Sequence, residues 1–267
     1  AYFDDEITAM PNLVTVGASG TASTVAGIPF YSGNTSSIST TDTSGTETQT
    51  NSRNSAYGYQ ALDAITTADN NTAIGASALT DNTTGASNTA IGNRAMYVNT
   101  TGSENVAVGR YALGANTTGG QNVSLGLESM NNNTEGQYNQ AMGGQAMLGN
   151  TTGDYNVGLG QNASRQNQTG DENVSIGYRA LYSNTVSDNT AVGSQALRFS
   201  TTGTGLVAVG YAALTANTTA SNNTAIGVNA AAATTTGASN VAVGYAALTA
   251  NTTGTRNIAI GAEALDA

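Results

Sequence analysis

The side chains able to do chemistry in this chain are few, and nearly all are carboxylates, hydroxyls and amides. The 267 residues include no His and no Cys, with 7 basic and 17 acidic residues. General acid–base catalysis could rest mainly on carboxylates or Tyr, and a metal site only on carboxylates and amides. Without Cys there is neither thiol nor disulfide chemistry. The composition therefore argues against an enzyme and predicts no catalytic residue and no cofactor.

The best group of carboxylates for a cation is Asp154, Asp171, Glu172 and Asp188. Their spacing follows a period found along the chain, so we expect them to stack in pairs. Oxygen ligands suit Ca²⁺, but solvated turn carboxylates are the preferred interpretation, and we expect no metal. The acidic run at residues 4–6 is likewise interpreted as a solvated terminus. The formal net charge of −10 makes nucleic acid a poor partner.

Tyr and Arg vary among repeats of otherwise similar sequence, which makes them candidates for contact with another molecule. On a background of Ser, Asn and Gly, such residues form an adaptable polar surface, and Tyr rings also suit sugars. The alternative is that they cover the repeat or seal contacts between chains. Tyr138, Tyr155 and Arg165 lie nearby. The candidate surface contacts are Arg94, Tyr97, Arg110, Tyr111, Tyr178, Arg179, Tyr182, Arg198, Phe199, Tyr211 and Tyr245.

A glycine recurs with great regularity and must organise the elements that carry these residues. Eleven of its twelve intervals are 17 residues and one is 16. We call it the phase glycine. A period this short predicts a solenoid, in which each unit rests only on its neighbours. The phase glycines are Gly58, Gly75, Gly92, Gly109, Gly126, Gly143, Gly160, Gly177, Gly193, Gly210, Gly227, Gly244 and Gly261.

Each repeat reads Asn-x-Ala-aliphatic-Gly-x-x-Ala-Leu and, two residues later, Asn-Thr-Thr-Gly. The alternation in Val106-Ala107-Val108 and its equivalents indicates one short strand per repeat, and the Gly, Thr and Asn content disfavours helix. Both glycines are expected at corners, where positive φ is often needed. Stacked coils would lie about 4.8 Å apart, giving a rod of roughly 60 Å. The 16-residue interval predicts one irregular corner near residues 186–188.

Stacking in register places Asn on Asn and Thr on Thr, so amides and hydroxyls can bond along the rod. Composition alone resembles a disordered linker, but disorder would not keep an apolar residue in phase over a dozen repeats. The Val and Ile side chains of the strand must face either a narrow interior or another chain. Because a thin coil cannot easily bury two apolar rows by itself, we expect the rods to associate side by side.

The phrases at 71–79 and 223–231 resemble the head repeats of trimeric autotransporter adhesins. They resemble still more the repeats of bacteriophage tail fibres, particularly those of marine and cyanobacterial phages. This resemblance covers residues 51–267 and implies a left-handed parallel β-roll with three chains in a bundle. The expected fold class is therefore an all-β parallel β-solenoid of about thirteen 17-residue coils, assembled as a homotrimer.

Residues 1–50 have no repeat phrase and are expected to form an N-terminal connector or docking module, followed by the rod at 51–267. The stretches 10–17 and 27–40 resemble the connector upstream of such repeats in phage fibres. An autotransporter would instead bring a heptad stalk and a C-terminal membrane anchor. The chain stops inside a repeat, so we expect a continuation beyond it. No membrane insertion is expected, because no apolar run approaches the length of a span.

The resemblance implies a structural fibre protein of a phage tail that contributes to host-cell attachment and is located in the virion. Its expected partners are itself, other tail or virion proteins through residues 1–50, and a host-surface glycan or protein. A bacterial adhesin head, extracellular or on the cell surface, is the alternative. A lesser alternative is an ice-binding solenoid, suggested by the paired Thr residues; its test is whether both Thr rows face solvent on one plane.

Overall fold

The computed structural model describes residues 53–266 with their side chains and, upstream, the backbone of three short strands. Strands β1 (Ser23–Val25) and β2 (Ile28–Phe30) pair antiparallel, and β3 (Ile38–Ser39) pairs with the first strand of the repeat region. The proposed docking role of residues 1–50 lies largely outside the described residues. Ile38 pairs with Ser55, an offset equal to the repeat period, and the boundary at residue 50 stays a prediction.

Each repeat contributes one three-residue strand to a single parallel sheet. The sheet has 14 strands, β3 to β16, and their order in the sheet is their order along the chain. Every pair is in register, as in Ala73 with Ala90. The repeat strands are β4 (Ser55–Tyr57), β5 (Thr72–Ile74), β6 (Thr89–Ile91), β7 (Val106–Val108), β8 (Val123–Leu125), β9 (Gln140–Met142), β10 (Val157–Leu159), β11 (Val174–Ile176), β12 (Thr190–Val192), β13 (Val207–Val209), β14 (Thr224–Ile226), β15 (Val241–Val243) and β16 (Ile258–Ile260).

The predicted all-β parallel β-solenoid is therefore confirmed, with thirteen repeat strands and about 12 coils. The described residues contain no helix. The prediction of about thirteen coils counted phase glycines, whereas thirteen strands bound twelve complete turns of the chain.

The interior is narrow and lined by small side chains. The central residue of each strand points inward, and so do the third and fourth residues after the phase glycine. In one coil these are Ala107, Ala112 and Leu113, all fully buried. Leu or Met at the fourth position fills most of the space, and the strand residues on either side of the Ala point outward.

Two ladders of Asn side chains run through the interior and replace part of an apolar core. Asn116 donates from Nδ2 to Oδ1 of Asn99 at 2.7 Å and to the Gly119 carbonyl at 2.9 Å. In the second ladder, the Asn88 side chain bonds the Gly102 carbonyl, and its Oδ1 accepts from the Asn105 amide. The expected Asn stacking is confirmed, and it satisfies backbone groups that the coil would otherwise bury unpaired.

The phase glycine has φ between 125° and 139°, as expected of a corner. The glycine of Asn-Thr-Thr-Gly does not adopt positive φ, so that part of the prediction is wrong. A Cβ at Gly119 would instead lie 2.4 Å from the Gly136 carbonyl oxygen and 2.5 Å from Oδ1 of Asn116. Space, rather than backbone angle, requires glycine here. With the exception of Gly205, the residues in the left-handed helical conformation are non-glycines, exemplified by Arg94, Met96 and Glu104 in one coil.

The apolar core is divided into two clusters along the rod. One extends from Ala56 to Met147 and the other from Ala180 to Ala259. In the coils between them, Gly158, Ser164 and Ser175 occupy interior positions that are Ala, Leu or Met in most other coils. The coil of β8 also has buried Ser residues, Ser124 and Ser129. The Ser164 and Ser175 hydroxyls bond each other at 2.9 Å. The coil that is one residue short follows directly. At its irregular corner the Asn173 and Asn184 side chains both donate to the Val186 carbonyl, within the predicted range.

Candidate functional site

The candidate contact residues lie on one segment of the coil, between the phase glycine and the interior Asn that follows it. The first residue after the glycine is Arg110, Tyr178, Tyr211 or Tyr245, and the second is Arg94, Tyr111 or Arg179. The fifth is Tyr97, Tyr182 or Arg198, and the sixth is Phe199. Because the coils stack in register, residues distant in sequence share one side of the rod.

Backbone geometry projects these side chains outward. The second residue after the phase glycine is left-handed, with φ of 56° at Arg94, 57° at Tyr111 and 55° at Arg179. Such a conformation costs roughly 1–2 kcal/mol for a residue with a Cβ. Each of these residues donates its N–H to a carbonyl of the preceding coil, as Arg94 does to Ala76 at 2.9 Å. The sheet-like stack thus holds the strained backbone in place.

The first cluster joins Arg94, Tyr97, Arg110 and Tyr111 from two successive coils. The Arg94 guanidinium carbon lies 5.5 Å from the Tyr97 ring centre and 5.6 Å from that of Tyr111. One Arg94 nitrogen donates to the Tyr111 hydroxyl at 2.6 Å. Arg110 lies 5.2 Å from the same Tyr111 ring. Cation–π contacts of this length hold both guanidinium groups against the Tyr111 ring.

The second cluster joins Arg165, Tyr178, Arg179 and Tyr182. Arg179 lies 5.0 Å from the Tyr178 ring centre and 5.7 Å from that of Tyr182. Arg165 donates to the Tyr182 hydroxyl at 3.1 Å. On the next coil Arg198 lies 4.7 Å from the Phe199 ring centre. Arg165, noted from the sequence as lying near the candidates, stands one period before Tyr182, and stacking of the coils brings the two side chains together.

Tyr211 and Tyr245 are exposed on the same segment, but the structure does not bring them into either cluster. We call the clustered set the Arg–aromatic face. It comprises Arg94, Tyr97, Arg110, Tyr111, Arg165, Tyr178, Arg179, Tyr182, Arg198 and Phe199. The sequence shows no run of basic residues, so this gathering was missed; only stacking of the coils brings the arginines together.

A second surface is formed by the outward residues of the sheet. The residue just before each phase glycine is aliphatic or Met from β5 to β16 and is partly or fully exposed, at 43% for Ile74 and 71% for Ile260 at the end of the row. The residue two places earlier is Val, Thr, Ile or Gln and also points outward. We call the first row the apolar sheet face. It comprises Ile74, Ile91, Val108, Leu125, Met142, Leu159, Ile176, Val192, Val209, Ile226, Val243 and Ile260.

The carboxylates of Asp154 and Asp171 stack on adjacent coils as expected, and they accept hydrogen bonds from backbone amides. Asp154 accepts from the Gln137 amide at 2.7 Å, and Asp171 accepts from the Asp154 amide at 2.8 Å. Within residues 53–266 no group of three or more acidic side chains is placed to hold a metal ion. Next to them, the exposed Tyr138 and Tyr155 rings stack at 4.8 Å.

The two Thr residues of Asn-Thr-Thr-Gly have different surroundings. The first is half-buried in most coils, and its hydroxyl donates to a carbonyl of the following coil, as Thr100 does to Thr117 at 3.0 Å. The second, such as Thr101, is exposed. The two Thr rows therefore do not form one equally exposed surface.

No protein-family model, no curated protein and no solved structure matches this chain significantly. In the part of the chain that the structure describes, no helix has the length and apolar character needed to cross a membrane. The geometry itself presents two outward surfaces along the rod: an apolar sheet face and an Arg–aromatic face. Neither has the paired proton donor and acceptor that hydrolytic chemistry would require.

Proposed function

We propose that the protein is a structural fibre of a phage tail, in which three chains assemble as a left-handed β-roll rod that contributes to host attachment. The observation that carries this proposal is the apolar sheet face, an unbroken outward row running from Ile74 to Ile260. We propose no enzymatic role, because the chain has no His and no Cys and the stacked carboxylates of Asp154 and Asp171 accept hydrogen bonds from backbone amides.

The apolar sheet face is too continuous for an isolated rod in water. Monomeric soluble proteins rarely expose apolar patches larger than a few hundred Å². Here twelve coils at about 4.8 Å extend such a patch over more than 50 Å. Ile176 and Met142 in its middle are 36% and 41% exposed. Covering this row with equivalent rows of identical chains would bury it by symmetry.

Three chains and the left-handed turn come from the resemblance of the repeats to phage fibres and trimeric adhesins. Three identical faces around one axis can bury one another completely, and the Thr and carboxylate side remains in solvent. A location in the virion, and docking to other tail proteins through residues 1–50, belong to the same proposal. They rest on the connector resemblance described above.

A bacterial trimeric adhesin head is the second candidate, because it would use the same roll and the same apolar contact. The ice-binding alternative is disfavoured by a specific observation. The first Thr row is half-buried and its hydroxyls bond the next coil, as Thr117 does with Thr134 at 2.9 Å. Only the second row is fully presented to water.

The first test is the mass of the purified particle by light scattering, repeated through a dilution series. We expect the mass of three chains, unchanged on dilution to nanomolar concentration. A monomer would show that the coil is self-sufficient and would overturn the fibre proposal. Antibody against the rod then separates the two candidates in electron micrographs of the source material: labelled phage tails support the fibre, and labelled bacterial surfaces support the adhesin.

A further inference from the structure

Charge is divided around the cross-section of the rod. Five of the 7 basic residues of the chain lie on the Arg–aromatic face: Arg94, Arg110, Arg165, Arg179 and Arg198. Between residues 92 and 210 the one carboxylate on the same segment is Glu128, which accepts from Gln145 Nε2 at 2.9 Å. The other carboxylates of that stretch lie after the interior Asn, on the Thr side. They are Glu104, Glu135, Asp154, Asp171, Glu172 and Asp188.

Among the residues that the structure describes, no carboxylate neutralises any of the five arginines. Over residues 53–266, no carboxylate lies within 4.0 Å of an arginine nitrogen. The Nε atoms of Arg165 and Arg179 are buried and have no hydrogen-bond partner among the described residues. An Arg guanidinium offers five N–H donors in a planar fork, so most donors on this face remain unused. Unpaired cations gathered in a protein of net charge −10 indicate an anionic ligand.

The aromatic rings fix these cations and add a surface for stacking. Each guanidinium lies 4.7–5.9 Å from at least one ring centre, which limits the freedom lost when a ligand binds. Tyr178 and Phe199 are 41% and 46% exposed, leaving room for a flat, partly apolar ring. A fork of donors beside an exposed ring suits a sugar that carries an acidic group.

We propose that the Arg–aromatic face binds an acidic polysaccharide lying along the rod, its carboxylate, phosphate or sulfate groups paired with the two arginine clusters. The clusters are separated by the coils of Gly126 and Gly143, which carry no arginine, so about 14 Å lies between them. Double-stranded nucleic acid carries one charge per about 1.7 Å and would leave most phosphates unpaired. A polysaccharide with widely spaced charges fits the arrangement better.

This inference deepens the proposed attachment role by naming its ligand class, and its test is separable from the mass measurement. Binding of the full chain is measured by surface plasmon resonance against immobilised polygalacturonate, dextran sulfate, neutral dextran and single-stranded DNA. We expect saturable, salt-dependent binding to one or both acidic polysaccharides and none to neutral dextran. The polygalacturonate and dextran sulfate arms distinguish carboxylate from sulfate recognition.

The decisive comparison uses two double variants with the same change in charge. Arg94→Gln with Arg110→Gln removes one cluster, and we expect affinity to fall about tenfold. Arg53→Gln with Arg256→Gln removes two exposed arginines that lie just before an interior Asn, on the Thr side. This control should bind within about twofold of the wild type.

Equal losses in the two variants would overturn the proposal, because net charge rather than this face would then govern binding. Absence of binding to both acidic polysaccharides would also overturn it. Tighter binding to DNA than to either polysaccharide would contradict the proposed ligand class and would indicate a nucleic acid instead. A trimer that binds no polysaccharide refutes only this inference, whereas a monomer that binds through Arg94 and Arg110 refutes only the fibre assembly.

Discussion

At the residue scale, the glycine of Asn-Thr-Thr-Gly shows how an interior ladder dictates a side chain. The Gly119 carbonyl accepts from Asn116 and from Asn105 at 2.9 Å each. A Cβ at Gly119 would meet Oδ1 of Asn116 and the Gly136 carbonyl oxygen of the next coil, so no Cβ fits. Alanine does occur at this position, as Ala68 and Ala220. In those coils the ladder is interrupted: Ile65 replaces the Asn in one, and Asn217 Oδ1 has no partner in the other.

We therefore expect Gly119→Ala to destabilise the rod by about 2–4 kcal/mol, since it combines overpacking with the loss of buried hydrogen bonds. Gly144→Ala is the matched control. A Cβ at Gly144 meets nothing within 4 Å, so stability should change by less than about 1 kcal/mol. Guanidinium unfolding followed by circular dichroism, at equal chain concentration, measures both. Equal midpoints for the two variants would show that the ladder tolerates a methyl group.

At the element scale, the strand could be located from sequence, but the surroundings of its side chains could not. Alternation in Thr89-Ala90-Ile91 identifies both the strand and its two faces. The sequence left open whether Ile91 faces the interior, because a 17-residue coil has room for either row of strand side chains but not for both. Burial of Ala90, at 0% exposure, resolves the question. Ala fits inside because Leu or Met from the next segment already fills the narrow interior.

The positions of the left-handed residues could not be predicted from the sequence, and the reason is physical. Besides the phase glycine, three positions in each coil adopt positive φ, and they hold residues as different as Tyr111, Leu113 and Gln121. Single-residue preferences favour Gly or Asn there, so they give no signal. Stacking hydrogen bonds impose the conformation instead. The Arg–aromatic face depends on this geometry, which is why its residues were named from sequence but its clusters were not.

The apolar sheet face makes a direct prediction about assembly. In the proposed trimer, changing Ile91 to Asp would place a charge between chains, at a cost of several kcal/mol per copy without a partner. We expect the trimer to dissociate at micromolar concentration while each coil keeps its strand, because the side chain points outward. Light scattering measures the mass and circular dichroism the fold.

Ser87→Asp is the control for that experiment. It adds the same charge to an exposed residue of the same coil, two residues before strand β6 and outside the apolar sheet face. The equivalent residue of another coil is already an acid, Asp188, with the same left-handed backbone. The control should remain trimeric. A stable trimer of the Ile91→Asp variant would remove the apolar sheet face from the interface and would require a different arrangement of chains.

At the scale of the whole molecule, a solenoid is nearly one-dimensional, so its stability is a sum over coils and the contacts between neighbours. A coil that loses apolar contacts in its interior is therefore locally less stable, because distant coils do not contribute to its stability as they would in a globular domain. The interior changes character at Gly158, Ser164 and Ser175, between the two apolar clusters. Met147 closes part of the gap, since its side chain occupies the space that a Cβ of Gly158 would need.

We expect the coils that contain Gly158, Ser164 and Ser175 to unfold locally before the rest of the rod. Replacing an interior Leu and Ala by Ser and Gly forgoes about 2 kcal/mol of apolar burial, and coils on either side cannot compensate at a distance. Amide hydrogen exchange read by mass spectrometry should therefore be roughly thirtyfold faster in β10 and β11 than in β6 and β7. The comparison is matched, because both pairs lie within the rod and have the same ladder of backbone hydrogen bonds. Equal protection would mean that the Ser164–Ser175 hydrogen bond holds the coils together as well as Leu113 does, and that the rod unfolds as one unit.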